Sequence, residues 1–350
     1  MCTCAGCGPS WARPGLRGSP RCARWATALA EEPFPAVSVV MPVLNAAVTV
    51  AGAVAAALDQ DYPGEAEVVV AHGPSQDGTA EILASLAADP RVRVVPNPSG
   101  GTAAGLNAAV AAATGTVIAR CDAQSRFPRH YLRRAVEILA ATGADSVGGI
   151  QAAVGTTFLS RAVAIAQTTF LGVGDARYRT GGEPGAVDTV YLGVFRREAL
   201  ARVGGFDEGQ VRNQDYELNW RLRESGGTVY FHPDLAVAYT PRSRLRALWR
   251  QYWEYGTWKR VMLRKHPRAL RWRQLAPPGL VAGLVASVAM LPTPWPWAAI
   301  VVPGAYLAAL LGVTLVEGVR RGDAAALALP VVLPTMHLAW GLGFLVGRAR

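Results

Sequence analysis

The stretch VSVVMPV, residues 37–43, decides the fold because it begins a repeating pattern of strands and helices. Its apolar and β-branched residues run without interruption, which is typical of a buried strand. The Ala- and Val-rich residues 46–58 that follow predict a helix. Strand and helix together form the first unit of the pattern.

The same unit recurs three times. Strands are predicted at 67–71, 92–95 and 116–120, and the helices that follow them at 79–88, 102–113 and 129–141. Alternation at these lengths indicates βαβ units and a parallel sheet that helices cover on both faces. The sequence therefore predicts an α/β fold with a Rossmann-like nucleotide-binding domain.

Polar side chains follow three of the predicted strands. Asn45, Asp77 and Asp122 each lie near the point where one of these strands ends. In open α/β sheets, ligands bind outside the carboxyl ends of the strands. The three residues therefore predict a nucleotide site at that edge of the sheet.

The pattern changes after Asp122. This second half is predicted to bind the acceptor, the second substrate, whose hydroxyl group would react. Between glycine turns it contains a predicted strand at 191–195, a helix at 214–225 and a strand at 228–231. The helix begins with the acid Asp215. A carboxylate there can accept the proton of an incoming hydroxyl, although the helix dipole alone also favours an acid at this position.

The formal net charge of +10 belongs to one segment of the chain. Residues 240–273 contain eleven Lys or Arg and one acid, so the surplus of this segment equals that of the whole chain. Arg250, Gln251, Trp253 and Trp258 lie within it, and cationic and aromatic side chains together suit the headgroup layer of a membrane. Because no nucleic-acid recognition fold accompanies the charge, we predict a membrane-interface segment at 241–274 and no nucleic-acid partner.

Uncharged apolar runs fill the last quarter of the chain. No Asp, Glu, Lys or Arg occurs from 275 to 316 or from 324 to 347. Since a helix needs about 20 apolar residues to cross a bilayer, residues 275–350 predict three transmembrane helices, at about 275–291, 298–316 and 325–346. Buried helices of a soluble domain are the alternative. The position of the basic segment predicts a multi-pass protein of the cell membrane with a cytoplasmic catalytic domain.

Four of the five cysteines lie in the first 22 residues, at Cys2, Cys4, Cys7 and Cys22. Their spacing lacks the second paired half of a typical zinc knuckle. We therefore predict that residues 1–33 are a disordered leader or an over-extended start of translation. Nothing in the sequence requires disulfides, which is consistent with a reducing compartment.

Seven short motifs occur in the order found in one enzyme family. They are PVLN (42–45), GPSQDGT (73–79), GLNAA (105–109), RCDAQ (120–124), VGGFD (203–207), QDYEL (214–218) and RQYWEYG (250–256). In this order they resemble the inverting family 2 glycosyltransferases of the GT-A fold, and within them the membrane-anchored succinoglycan-biosynthesis (ExoA-like) group. The resemblance runs from about 37 to 278 and implies a GT-A nucleotide-sugar-binding domain at 34–240.

The resemblance also implies roles for individual residues. Asp215 matches the catalytic base, and Asp122 matches a carboxylate that holds a divalent cation, Mg²⁺ or Mn²⁺. The nucleotide-sugar side would comprise Pro42, Asn45, Asp77, Asn107, Arg120 and Asp122. The acceptor side would comprise Gly205, Asp207 and Gln214. Arg221 would either pair with acids of its own helix or neutralise the diphosphate.

Several residues depart from the family pattern. Arg120 replaces the first acid of the Asp-x-Asp motif, and Gln214 stands where many relatives have Glu. Ala71 and His72 stand where the second strand commonly ends in an acid. Arg120 can itself supply positive charge to a diphosphate, which makes the metal dependence an open question.

These observations predict an enzyme that moves a sugar from a nucleotide-diphosphate donor to a lipid-linked or membrane-proximal saccharide. The reaction would be a single displacement with inversion, in exopolysaccharide or cell-envelope glycan synthesis. The alternatives are a processive polysaccharide synthase and a catalytically inactive nucleotide-binding membrane protein. The few predicted spans weaken the first alternative, and intact Asp122 and Asp215 weaken the second.

Overall fold

The computed structural model describes residues 34–349, so the four N-terminal cysteines and the predicted leader lie outside the described residues. The strands are β1 Val37–Val43, β2 Ala66–His72, β3 Val92–Pro96, β4 Val117–Arg120, β5 Ser146–Gly149, β6 Gln151–Ala153, β7 Gly185–Ala186, β8 Tyr191–Arg196, β9 Val229–Phe231 and β10 Val237–Tyr239. The helices are α1 Val50–Leu58, α2 Thr79–Leu86, α3 Thr102–Ala112, α4 Tyr131–Thr142, α5 Phe158–Ala166, α6 Phe170–Val173, α7 Arg177–Thr180, α8 Arg197–Arg202, α9 Gln214–Glu224, α10 Leu245–Lys265, α11 Ala276–Met290, α12 Val301–Arg321 and α13 Leu329–Val346.

Eight strands form one sheet in the order β3-β2-β1-β4-β8-β5-β9-β7. The pairs among β1 to β4 are parallel, which confirms the predicted βαβ units. Beyond β4, where the predicted pattern ends, the sheet is mixed, because β8 pairs antiparallel with both β4 and β5. The remaining strands, β6 and β10, form a separate parallel pair.

The uninterrupted apolar run of β1 follows from its central position in the sheet. Val39 and Met41 pack into the core on one face of the sheet, and Val40 packs into the core on the other. Alternate side chains of a strand point to opposite faces, so a strand covered on both sides needs apolar residues at every position. The parallel pairing of β1 with β2 and β4 then brings the loops that follow these strands to the same edge.

The C-terminal helices only partly match the predicted spans. In the described part of the chain, two segments are long and apolar enough to cross a membrane, Pro296–Arg321 with 26 residues and Ala324–Val346 with 23. The first predicted span, 275–291, corresponds to α11, whose 15 residues fall short of the length required. The Pro-rich turn that follows Met290 ends this helix early, so two candidate spans replace the predicted three.

The basic segment packs along the last helix. Glycines make this possible: an added Cβ at Gly256 of α10 would collide with the carbonyl oxygen of Trp340, and one at Gly343 of α13 with that of Trp253. Small residues at such crossings let two backbones approach closely. The Thr257 hydroxyl also donates to the carbonyl oxygen of Gly343 at 3.2 Å. The segment at 241–274 is therefore joined to the apolar helices.

Candidate active site

Two carboxylates and one guanidinium meet at the carboxyl end of β4. Arg120 is the last residue of this strand, and its Nη2 donates to Oδ1 of Asp122 at 3.0 Å. Its Nη1 donates to Oδ1 of Asp215, which lies in the first turn of α9. Arg120 therefore joins the predicted donor half of the chain to the predicted catalytic base.

Burial and the neighbouring charges together shift the pKa of Asp215. Burial raises the pKa of Asp215 above its ordinary value of 3.8, and neighbouring Asp122 raises it further, while Arg120 opposes both. Burial alone would lower the pKa of Arg120, but the two carboxylates raise it. The guanidinium therefore stays charged, beside a carboxylate that holds its proton more strongly than usual.

A cavity of about 590 Å³ extends from this cluster to the C-terminal helices. Among the residues on its wall are Asp122, Asp215, Lys259, Leu280, Met336 and Trp340. One continuous space therefore touches the two carboxylates, the basic helix α10 and the apolar helices α11 and α13. A ligand in it can present a polar group to Asp215 and an apolar group to the helices.

The loops after β1 and β2 brace each other. The side chain of Asn45, whose φ is 49°, accepts a hydrogen bond from the backbone N–H of Gln76 at 2.8 Å. Asp77 accepts from the backbone N–H of Ala47 at 3.1 Å and from the Thr79 hydroxyl at 2.5 Å. The hydrogen bond from Thr79 is the main cause that lowers the pKa of Asp77. Asn45 and Asp77 thus shape the edge of the sheet where a nucleotide was predicted.

Two other residues predicted on the donor side are engaged in packing. Pro42 lies inside β1, where an added Cβ at Gly105 of α3 would come within 3.2 Å of its Cβ. Asn107, also on α3, accepts from the backbone N–H of Phe206 at 2.8 Å and donates to the Phe206 carbonyl and the Glu208 carboxylate, each at 2.9 Å. Asn107 therefore stabilises the glycine turn at residues 204–205. Its contact with a nucleotide stays a prediction.

The glycine turn offers a matched pair of substitutions. Gly204 and Gly205 both have positive φ, 76° and 73°. An added Cβ at Gly204 would meet nothing within 4 Å, whereas at Gly205 it would lie 2.7 Å from Oδ1 of Asn107. Both alanine variants incur the cost of the left-handed conformation, and Gly205→Ala adds an overpacking cost of about 1–3 kcal/mol. We expect denaturant unfolding to show the larger loss for Gly205→Ala; equal losses would contradict this.

Arg221 is committed to its own helix and the same turn. It forms an ion pair with Glu217 at 2.7 Å and donates to the carbonyl oxygen of Gly205 at 2.7 Å. Glu217, which is 1% exposed, also contacts Nε2 of His266 at 2.9 Å. The first of the two predicted roles for Arg221 is therefore the observed one, pairing with an acid of its own helix.

The remaining acceptor-side residues lie around the start of α9. Burial alone would raise the pKa of Asp207, but the ammonium of Lys265, at 2.5 Å, and a backbone N–H lower it. Gln214 is buried, and its side chain donates to the carbonyl oxygen of Val211 at 2.5 Å. Gln214 therefore holds the loop that presents Asp215 and lines the cavity beside it.

Comparison with known proteins identifies the family. The family model described as Glycosyl transferase family 2 matches residues 38–204. The chain is also 36% identical to the succinoglycan biosynthesis protein ExoA of Rhizobium meliloti (strain 1021), over 87% of this chain and 93% of that protein. The chain belongs to glycosyltransferase family 2. The predicted family and enzyme class are confirmed, and the chain is a glycosyltransferase with homology to an exopolysaccharide biosynthesis protein.

A more distant relative and one solved structure match nearly the whole length of the chain. The dolichyl N-acetyl-alpha-D-glucosaminyl phosphate 3-beta-D-2,3-diacetamido-2,3-dideoxy-beta-D-glucuronosyltransferase of Methanococcus voltae is 22% identical over 90% of this chain and 97% of that protein. The solved structure of the mannosyltransferase PcManGT from Pyrobaculum calidifontis, in complex with GDP-Man and Mn²⁺, covers 94% of both chains with a TM-score of 0.58 and 22% identity. This likeness confirms the GT-A fold.

The glycosyltransferase offers few protein ligands for a metal ion. Among residues 34–349, no group of three or more His, Cys, Asp or Glu could hold one. Oδ1 of Asp122 already accepts from Arg120, at 3.2 Å from Nε and 3.0 Å from Nη2. One carboxylate fits Mg²⁺ or Mn²⁺ only when substrate phosphates and waters supply the other ligands, which is the usual arrangement for Mg²⁺.

The predicted membrane-interface residues divide into two environments. Gln251 faces the cavity, and its Nε2 donates to the hydroxyls of Tyr239 and Tyr255 at 3.2 and 3.1 Å. Arg250 is exposed. Trp253 and Trp258 are half-buried beside the last turn of α13. A place in the headgroup layer stays a prediction for Arg250, Trp253 and Trp258, whereas Gln251 belongs to the cavity of the glycosyltransferase.

Sequence reasoning missed two buried cations of the cavity wall. Arg179 received no role, and Lys259 was counted only as part of the basic segment. Arg179 is 7% exposed and Lys259 is 4% exposed. The only signal was the position of Lys259 next to Trp258 and close to several tyrosines, which does not reveal the face of α10 on which it lies.

Proposed function

We propose that this glycosyltransferase is membrane-anchored and transfers a sugar from a nucleotide-diphosphate donor to a lipid-linked or membrane-proximal saccharide. The product would be an exopolysaccharide or another glycan of the cell envelope. The observation that carries the proposal is the single cavity that reaches from Asp122 and Asp215 to the apolar helices. The names of the relatives support it, since one is a succinoglycan biosynthesis protein and another acts on a dolichyl-linked sugar phosphate.

Asp215 is proposed as the catalytic base. It faces the cavity, and its raised pKa makes it a stronger proton acceptor than an ordinary aspartate. The carboxylate would take the proton of the acceptor hydroxyl as the oxygen attacks the anomeric carbon. The bond to the leaving nucleotide diphosphate breaks on the opposite face, so the configuration at that carbon inverts.

Arg120 is proposed to serve both substrates. Its guanidinium forms ion pairs with both Asp122 and Asp215. A diphosphate placed at the end of β4 would compete for the same guanidinium, since Arg binds phosphate through charge-assisted hydrogen bonds. Such competition would release Asp215 for the acceptor hydroxyl only when donor is present.

The donor would lie along the carboxyl edge of β1, β2 and β4. Asn45 and Asp77 order the loops that border this edge. His72 ends β2, and its buried Nε2 has no hydrogen-bond partner among the described residues. We propose that His72 contacts the nucleotide base at the position where an acid is common in the family.

A divalent cation, Mg²⁺ or Mn²⁺, would be held by Asp122 together with the donor diphosphate. When bound, the cation offsets the negative charge that develops on the leaving group. Because Arg120 contributes positive charge at the same place, we expect EDTA to reduce turnover by about 10–10³-fold rather than to abolish it, with recovery on adding Mn²⁺. Steady-state turnover with and without chelator measures this. Unchanged turnover in EDTA would remove Asp122 as a metal ligand.

Membrane anchoring is proposed through the C-terminal helices. The most apolar 18-residue window of Pro296–Arg321 has a mean hydropathy of 2.2, and only 11% of that window is buried within the protein. An apolar helix that the protein does not cover requires another apolar environment. The basic segment beside it would lie at the cytoplasmic surface, so residues 34–240 would face the cytoplasm in a multi-pass protein.

A donor panel tests the proposal. Purified full-length protein is incubated with UDP-, GDP- and dTDP-sugars, with and without a membrane-lipid extract, and release of nucleotide diphosphate is measured. Lipid-dependent release supports the proposed function. Nucleotide binding without hydrolysis or transfer would support the inactive alternative, and long polymer products would support the processive alternative.

A further inference from the structure

Two buried cations on the cavity wall have no carboxylate within ion-pair distance among the described residues. They are Lys259 of α10 and Arg179 of α7, and both line the cavity that contains Asp215. The other Lys and Arg residues nearby are mostly paired: Arg273 binds Asp175 and Asp188, and Arg212 binds Glu254. Within the part of the chain that the structure describes, Arg242 also lines the cavity without an ion pair, but it is exposed, so the buried unpaired positive charge is concentrated at two positions of this wall.

Within residues 34–349, the ammonium group of Lys259 has no oxygen partner. Its Nζ lies 3.2 Å from the centroid of the Tyr216 ring and 3.5 Å from Sδ of Met262. Burial lowers the pKa of Lys259 well below its ordinary value, and the more distant Asp188 offsets this only in part. A buried ammonium with three donors and no anionic acceptor is costly, so this site favours an incoming anion.

Arg179 is held without being neutralised. Its Nη1 donates to Oε1 of Gln167 at 3.1 Å, and its guanidinium lies 5.5 Å from the ring centroid of Tyr178 and 5.7 Å from that of Tyr239. These contacts fix the side chain while its charge remains uncompensated. A pre-positioned guanidinium is well suited to bind phosphate.

The cavity also contains an unused hydrogen-bond acceptor. Oε1 of Gln251 is buried and has no partner among the described residues, while Nε2 of the same side chain donates to two tyrosines. A buried acceptor of this kind is normally paired in a functional state. A sugar hydroxyl near the two cations would satisfy it.

The position of the cations distinguishes between two phosphate ligands. The donor diphosphate belongs at the end of β4, next to Asp122 and Arg120. The wall that carries Lys259 continues into Leu280 of α11 and Met336 of α13, which are apolar residues of the C-terminal helices. A phosphate between a saccharide and a hydrocarbon chain would place each part against matching chemistry.

We propose that Lys259 and Arg179 form a phosphate subsite for the acceptor, which is a saccharide joined to a lipid through a phosphate ester. The bound phosphate positions the acceptor sugar so that its hydroxyl reaches Asp215. This inference rests on the proposed function and names the acceptor class for the same site.

The variant Lys259→Met tests the subsite in the full-length protein in nanodiscs. Wild-type enzyme is compared on one saccharide carried by a lipid phosphate and by the matching uncharged lipid. We expect Lys259→Met to raise KM for the phosphate-linked acceptor about 10-fold or more, with KM for the donor unchanged. The melting temperature should stay equal or rise, because the variant removes an unpaired buried charge. Arg133→Met, which removes a charge from an exposed ion pair with Asp61, serves as the control.

A binding measurement on wild-type protein keeps the test independent of any variant. Farnesyl phosphate should raise the melting temperature progressively as its concentration increases above its dissociation constant, and farnesol should not. Equal stabilisation by both would overturn the phosphate subsite. A rise in the donor KM of Lys259→Met, with acceptor KM unchanged, would also overturn it by assigning the cation to the donor.

Different experimental results would contradict the phosphate subsite and the proposed glycosyl transfer. Equal transfer by the wild type to the charged and uncharged lipids would overturn the subsite and leave the glycosyl transfer in place. An absence of donor hydrolysis and of transfer to every acceptor would contradict the proposed function, and the farnesyl phosphate measurement would still decide the subsite.

Discussion

Asp215→Asn should lower sugar transfer by about 10²–10⁴-fold, the range expected for loss of a general base. The amide keeps the shape of the side chain and cannot accept the proton of the acceptor hydroxyl. Nucleotide-sugar binding should persist, because Asp122 and the loops after β1 and β2 remain in place. Initial rates with saturating donor, together with calorimetric titration of the nucleotide, measure the two effects separately.

Glu224→Gln supplies the control for this substitution. Glu224 ends the same helix and is exposed, so the variant removes one carboxylate of α9 far along the chain from the cavity. We expect its rate to stay within about twofold of the wild type, as surface substitutions usually have small effects. An Asp215→Asn enzyme that also stays within twofold would remove Asp215 from the mechanism.

Arg120→Met should shift the acid limb of the pH–rate profile to higher pH. The base form of Asp215 exists above its pKa, and Arg120 is the group that lowers this pKa against burial and Asp122. Without the guanidinium the pKa of Asp215 rises further, so a higher pH is needed to deprotonate this base. Stability should also fall, by about 3–5 kcal/mol, because the variant leaves two adjacent carboxylates without their buried partner.

Arg120→Lys distinguishes charge from geometry. The lysine ammonium retains a positive charge. The acid limb of the Arg120→Lys profile should therefore lie between those of the wild type and Arg120→Met. Profiles of kcat/KM against pH, measured alongside Arg133→Met, provide the comparison. An acid limb of Arg120→Met that stays in place or moves to lower pH would contradict the role of Arg120 next to Asp215.

The first half of the fold could be predicted because its pattern is local. Each of β1 to β4 is a mostly apolar segment followed by a loop, and the sheet confirms their order and direction. β5 was missed because its four residues, Ser146–Gly149, include two glycines and show no apolar run. The helix α5 was missed as well, although Thr157 and Ser160 form a capping box at its start.

The site could be predicted only where one residue carries the chemistry. Asp122 and Asp215 were identified singly, and the structure brings them to the same guanidinium. The partners of Arg221 and the burial of Lys259 depend on which face of a helix meets another element, and this is a tertiary property. Lys259 and Arg264 are both basic residues of α10 and look alike in the sequence. In the structure Lys259 is buried, whereas Arg264 is exposed.

The anomeric configuration of the product tests the central claim most directly. The wild-type enzyme is supplied with an α-configured nucleotide sugar and a lipid-phosphate-linked saccharide, and the anomeric proton of the new linkage is observed by NMR. Single displacement with Asp215 as base predicts a β-linked product. An α-linked product would require a covalent intermediate or another retaining route, and would contradict the mechanism proposed for this cavity.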